Sequence, residues 1–246
     1  MGLEIALIVV GALIAVIGLI SGVTSVWLTV KYFRFNRREN SLGLTGMQIA
    51  RKILDDNGLE HIKVKRTGSL FFGNSYSHYF KKVRLRGLIR HETSLTSMGM
   101  GAQKAALAIL DKEGDADMKK RVRLVPLLTF GPFAFIPLVV VGALLDLFVF
   151  NGQGVCTLAL GGVALLFYVY SIVLSVLTLK TEKKAQQRAY EILDRDYHVT
   201  SEELSDLKEL FHLYNIQYIN DIVLSSLELL YTLLQIAVTL KGNTDN

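Results

Sequence analysis

Cysteine is almost missing from this sequence. Cys156 is the only one, so no internal disulfide can form and no disulfide scaffold is available. It lies in an apolar block, where burial disfavours the thiolate, so packing rather than nucleophilic chemistry is expected of it. Proline is nearly as scarce: Pro126, Pro132 and Pro137 are all there are, and they share one apolar stretch. Charge is missing from whole segments, with no Asp, Glu, Lys or Arg from Ile5 to Val30. Gly99-Met100-Gly101 is not followed by the lysine and hydroxyl of a phosphate-binding loop. No Gly-x-Ser-x-Gly nucleophile elbow occurs. Nucleotide hydrolysis on a P-loop and serine hydrolysis on an elbow are therefore excluded as readings.

What is present is apolar residue in blocks. The chain has 246 residues, 51% of them hydrophobic, with a mean hydropathy of +0.37. The blocks are long enough to cross hydrocarbon, which takes roughly 20 helical residues. The first, within residues 1–30, has Glu4 rather than a basic run before it, so it reads as a retained anchor and not a cleaved signal. Gly18 and Gly22 stand four apart in it, a spacing that can admit a neighbouring helix. The second and third, within 124–179, form a hairpin about Asn151-Gly152-Gln153-Gly154. Pro126 suits a helix start, whereas Pro132 and Pro137 should kink the second span. Asp146 lies near the end of that span. The fourth block occupies 222–246, with Glu228 in mid-span as a candidate functional carboxylate.

Two polar segments separate the blocks. In residues 31–123, Thr45 reads as a helix N-cap with Gln48 at the capping-box position, and Asn57-Gly58 as the stop. Alternation predicts strands over His61 to Lys65 and Lys82 to Leu85, with a turn-rich aromatic stretch between. A helical pattern returns from about Ser94 to Leu110, closed by Gly114. Residues 180–221 read as a polar helical segment. The expected fold is mainly α: a polytopic membrane protein of about four transmembrane helices with a small cytoplasmic α+β portion.

Charge sets an orientation. Residues 31–123 hold 20 of the 27 Lys and Arg, 180–221 hold six more, and only Lys241 falls elsewhere. Basic segments stay cytoplasmic, so both termini are expected outside a cell membrane. The run Lys31 to Arg38 sets topology and offers anionic lipid a grip. Because the net charge of +5 is positional, nucleic acid is not the expected partner. The bilayer is, together with a membrane-protein partner or a second copy of the chain.

Several stretches resemble a bacterial family of multi-pass membrane proteins, the YugP-like neutral zinc metallopeptidases. Gly43-Leu44-Thr45-Gly46, Ile49-Ala50-Arg51, Ile53-Leu54-Asp55 and Asn57-Gly58-Leu59 are similar to its opening signature. His78-Tyr79 resembles the end of an Asp-His-Tyr element, with Ser77 in place of the acid. Val83-Arg84-Leu85, Leu124-Val125-Pro126 and Glu182, Ala185, Arg188, Ala189 follow in the family's order.

The resemblance implies an HExxH zinc motif, in which two histidines on one helix face bind the metal and a glutamate activates water. Counting forward from Val83-Arg84-Leu85 places it on Gln103-Lys104-Ala105-Ala106-Leu107. There the ligands become an amide and an aliphatic chain, and the base becomes an ammonium. The resemblance makes Glu182 the third ligand, and it is retained. His91-Glu92 lacks the second histidine and lies upstream. His78 and His91 remain weak candidates for another metal site with Glu182, while His198 and His212 lack ligand spacing.

The leading expectation is a catalytically inactive peptidase-like protein that binds or scaffolds a partner, with no catalytic residue and no cofactor. The alternative is an active peptidase holding zinc through His78, His91 and Glu182. A third, from another class, is a transporter or channel subunit using the proline-bearing span, Asp146 and Glu228.

Overall fold

The computed structural model describes residues 2–67, 73–128, 131–150 and 154–244. Among the described residues, eleven elements follow in order. They are α1 (Gly2–Asn36), α2 (Gly46–Asp56), β1 (Lys63–Arg66), β2 (Ser75–Ser77), β3 (Lys82–Leu85) and α3 (Gly87–His91), then α4 (Leu95–Glu113), α5 (Ala116–Leu128), α6 (Gly131–Phe148), α7 (Val155–Arg195) and α8 (Ser201–Thr244). The protein is mainly helical, with one small sheet, as the residue pattern implied.

The chain divides into two compact units. One comprises Met1–Ile20, Arg121–Thr178 and Ile219–Asn246; the other comprises Ser21–Lys120 and Leu179–Tyr218. Three helices among the described residues are long and apolar enough to cross a membrane: Gly2–Asn36, Val155–Arg195 and Ser201–Val238. The expected second span falls in α5 and α6, with Pro137–Phe148 as an apolar helical stretch among the described residues. Pro137 lies inside α6. The side chains of Pro126 and Pro132, and the turn residues 151–153, lie outside those described. The α6–α7 hairpin is close: a Cβ on Gly142 would stand 2.8 Å from Thr157 Cα. Gly18 and Gly22 approach nothing within 4 Å, so no described helix of this chain uses that pair.

The second unit is built around α4. Every residue from Leu95 to Leu110 is buried, an all-round burial that marks a central helix. Ser94 caps its start by accepting from the Ser97 amide, and Gly114, at φ 74°, closes it in the left-handed region. Against it lies α2, whose Thr45–Gln48 capping box forms as expected. The two helices touch backbone to backbone: a Cβ on Gly101 would collide with the Gly46 carbonyl, and one on Gly46 with the carbonyls of Ile89 and Ser97. The opening signature thus has a packing reason at Gly46. Its Arg51 has another, donating to Asp55 and to the carbonyls of Leu59 and Ile62.

That bonding also corrects the first strand. The chain is still turning at His61 and Ile62, so β1 begins at Lys63. The sheet order is β1-β3-β2, with β1 parallel and β2 antiparallel to β3. Its inner face brings Tyr76, Val83 and Leu85 into the core. Two elements were not anticipated, β2 and the short helix α3. The polar segment 180–221 is helical on both sides of a turn. It is the end of α7 and the start of α8, separated by a turn in which His198 adopts φ 53°. Ala185 and Ala189 of α7 and Leu207 and Phe211 of α8 join the core, Leu207 filling the space a Cβ on Gly99 would need.

Candidate functional site

Three of the residues singled out in the sequence converge. Gln103 and Lys104, adjacent on α4, both reach Glu182 on α7. Gln103 Nε2 donates to Glu182 Oε2 at 2.9 Å, and Lys104 Nζ donates to the same oxygen at 2.7 Å. The Lys104 side chain is 9% exposed and that of Glu182 18%, so the ion pair is largely removed from water. Leu107, one turn further along α4, is fully buried. It supplies apolar packing at the position where the resemblance would put an imidazole.

The elements explain this convergence. Positions 103 and 107 are one turn apart and share a face of α4. Glu182 is held near that helix by cation–carboxylate pairs further along α7. Lys184 bonds Asp115 at 2.6 Å and Asp117 at 2.8 Å, and Arg188 bonds Glu113 at 2.5 Å. Lys184 holds the Asp117 carboxyl below the usual carboxylate range. For Asp115, burial pushes upward, but the Lys184 bond and the amides of Met118 and Asp117 outweigh it.

A second cluster sits two turns from Gln103 on α4. Asp111 Oδ2 accepts from the Tyr76 hydroxyl at 2.7 Å and faces His78 Nδ1 at 2.6 Å, with Lys81 Nζ at 3.7 Å. Burial, then the bond to Asp111, pushes the Tyr76 hydroxyl well above the usual tyrosine range, so it stays a donor. His78 is thus anchored to Asp111. Asp111 was not singled out in the sequence, although its spacing of four from Leu107 already continued that helix face.

The remaining candidates are scattered. His91 closes α3 and is exposed, as are His198 and His212. Among the described residues, no three of His, Cys, Asp and Glu come together in a way that could hold a metal ion. Asp146 serves the backbone. Its carboxylate accepts from the amides of Cys156 at 2.9 Å and Thr157 at 2.7 Å, capping the start of α7. Glu228 presents an exposed side chain on α8, while its carbonyl accepts from Thr232.

Tested against zinc, the convergent residues do not fit. A catalytic zinc takes three lone-pair donors as a rule. Here one carboxylate faces an ammonium and an amide, and Leu107 offers no lone pair. The ammonium supplies positive charge to Glu182 where a metal cation would sit, and no metal-holding group of His, Cys, Asp and Glu stands there among the described residues.

Comparison with known proteins agrees with the motifs. Residues 9–237 match the family described as "Putative neutral zinc metallopeptidase". A relative from Bacillus subtilis (strain 168), described as "Putative membrane protease YugP", is 23% identical over 214 residues, covering 87% of this chain and 88% of its own. No solved structure matches. With its apolar helices and a match spanning nearly all of its length, this membrane protein belongs to the neutral zinc metallopeptidase family.

Proposed function

We propose that this chain is a non-catalytic member of its family, retaining the scaffold to bind a partner in the membrane without cleaving it. One observation carries the reading: Lys104 and Gln103 occupy Glu182, the family's remaining ligand, from the helix that would carry HExxH. An ammonium cannot accept the proton that a water-activating glutamate takes, and it repels a divalent cation. The buried position of Lys104 means the substitution is built into the fold rather than left on a surface. The alternative with His78, His91 and Glu182 as ligands has less support, because His78 is engaged by Asp111 and Glu182 by Lys104.

The membrane arrangement we infer has four crossings, with the apolar part of α5 and α6 making the second. The soluble segments lie in the cytoplasm and both termini outside. The concentration of Lys and Arg in 31–123 and 180–221 supports it. The partner is a membrane protein, either another chain or a second copy of this one. A transport role draws no support from Asp146, which is used as a helix cap.

The test is metal analysis joined to a peptidase assay on protein purified in mild detergent without chelators or added metal. The reading expects substoichiometric zinc, no cleavage, and a protein co-purifying with the chain. Stoichiometric zinc with cleavage abolished by Glu182→Ala would end it.

A further inference from the structure

The sheet carries a feature that the family site does not use. In β1 and β3 the residues facing away from the core are all basic. The register sets Lys63 beside Lys82 and Lys65 beside Arg84, with Ser77 and Ser75 of β2 completing the two rows. Like charges directly opposite on neighbouring strands destabilise a sheet, and here two such pairs lie side by side. None of the four has an acidic partner among the described residues. The crowding is felt at Lys82, whose ammonium is weakened by desolvation, then by Arg84 and Lys65. Exposed Phe80 adjoins the patch, and Tyr79 precedes it in sequence. Phe80 is 67% exposed and Tyr79 57%; Lys82 Nζ stands 4.4 Å from the Phe80 ring centre and the Arg84 guanidinium 5.7 Å.

We propose that this face is a docking surface for an anionic lipid bilayer, its four cations meeting lipid phosphates and Phe80 entering the headgroup boundary. The argument is charge complementarity. The fold tolerates two unfavourable cross-strand pairs, and an external array of negative charge converts that repulsion into binding. Exposed aromatic rings beside cations suit a headgroup layer, where an amphipathic edge is solvated on one side and buried on the other. A chain with apolar spanning helices has bilayer at hand at high local concentration, which favours lipid over a freely diffusing polyanion.

The test uses the full chain in nanodiscs, with Trp27→Phe and Phe80→Trp giving a single reporter and brominated lipid as quencher. Quenching should be strong with phosphatidylglycerol, weak with phosphatidylcholine, and reversed by high salt. Neutralising Lys63, Lys65, Lys82 and Arg84 to Gln should weaken the preference for anionic lipid by about fivefold per cation removed. If the quadruple variant misfolds by circular dichroism, the salt titration of the reporter protein decides. Quenching that ignores lipid charge, ignores salt, or survives the four substitutions in a folded chain would overturn the proposal. So would displacement by inorganic phosphate, which points to a small soluble anion, or tighter binding of a single-stranded oligonucleotide.

Discussion

Lys104 Nζ stands 2.7 Å from Glu182 Oε2, joining two residues 78 apart in sequence across α4 and α7. A partly desolvated pair of this kind contributes less by its attraction than by the cost of breaking it. Lys104→Met removes the ammonium facing the Glu182 carboxylate, and should lower unfolding stability by about 3 kcal/mol. Combining it with Glu182→Leu should recover most of the loss. Thermal unfolding of the single and double variants in detergent measures the coupling, and additive losses would mean the pair does not act as a unit.

The α2–α4 contact makes a sharp steric prediction. Gly101→Ala places a methyl against the Gly46 carbonyl, backbone that cannot step aside, and should cost about 1–3 kcal/mol. Gly18→Ala meets nothing within 4 Å and should leave the melting temperature unchanged or slightly raised. Equal effects at both positions would contradict the close helix crossing.

Acid should loosen α5 from α7. The Asp117 and Asp115 carboxyls are held below their ordinary range when Lys184 is in place. A depressed folded-state value means that the contribution to stability is complete above the ordinary carboxylate range. It is lost as pH falls through the depressed value, below about 4. Stability should therefore hold from neutrality to mildly acid pH and then decline. Lys184→Gln should reduce stability at neutral pH and flatten that decline, as measured by unfolding midpoints across pH.

Asp146 should behave as a cap. Asp146→Ala frees the amides of Cys156 and Thr157 and should cost about 1–2 kcal/mol, with Asp146→Asn costing less. A full loss of stability with Asn would indicate that the charge, rather than the acceptor, is what α7 requires.

Local features were legible in the sequence. Thr45 and Gln48 announced a capping box, Gly114 a helix end, and the uncharged runs the long apolar helices, because each signal lies within a few residues. The second span was legible as an apolar run, which falls in α5 and α6. Ser75–Ser77 was hidden because a three-residue strand of Ser-Tyr-Ser among turn-formers has no pattern to read. The candidate site was half visible. Gln103, Lys104 and Glu182 could be named from the family's motif order, but their contact depends on how α7 packs on α4, which no local signal encodes. Asp111 was missed although helix periodicity placed it one turn beyond Leu107, because no motif drew attention to it.

Zinc titration of two folded proteins tests the central claim most directly: the native chain and a Gln103→His/Lys104→Glu/Leu107→His variant. The account predicts no tight zinc binding by the native chain, and one zinc per chain in the variant through the two histidines and Glu182. Tight stoichiometric binding by the native chain that disappears with Glu182→Ala would contradict it.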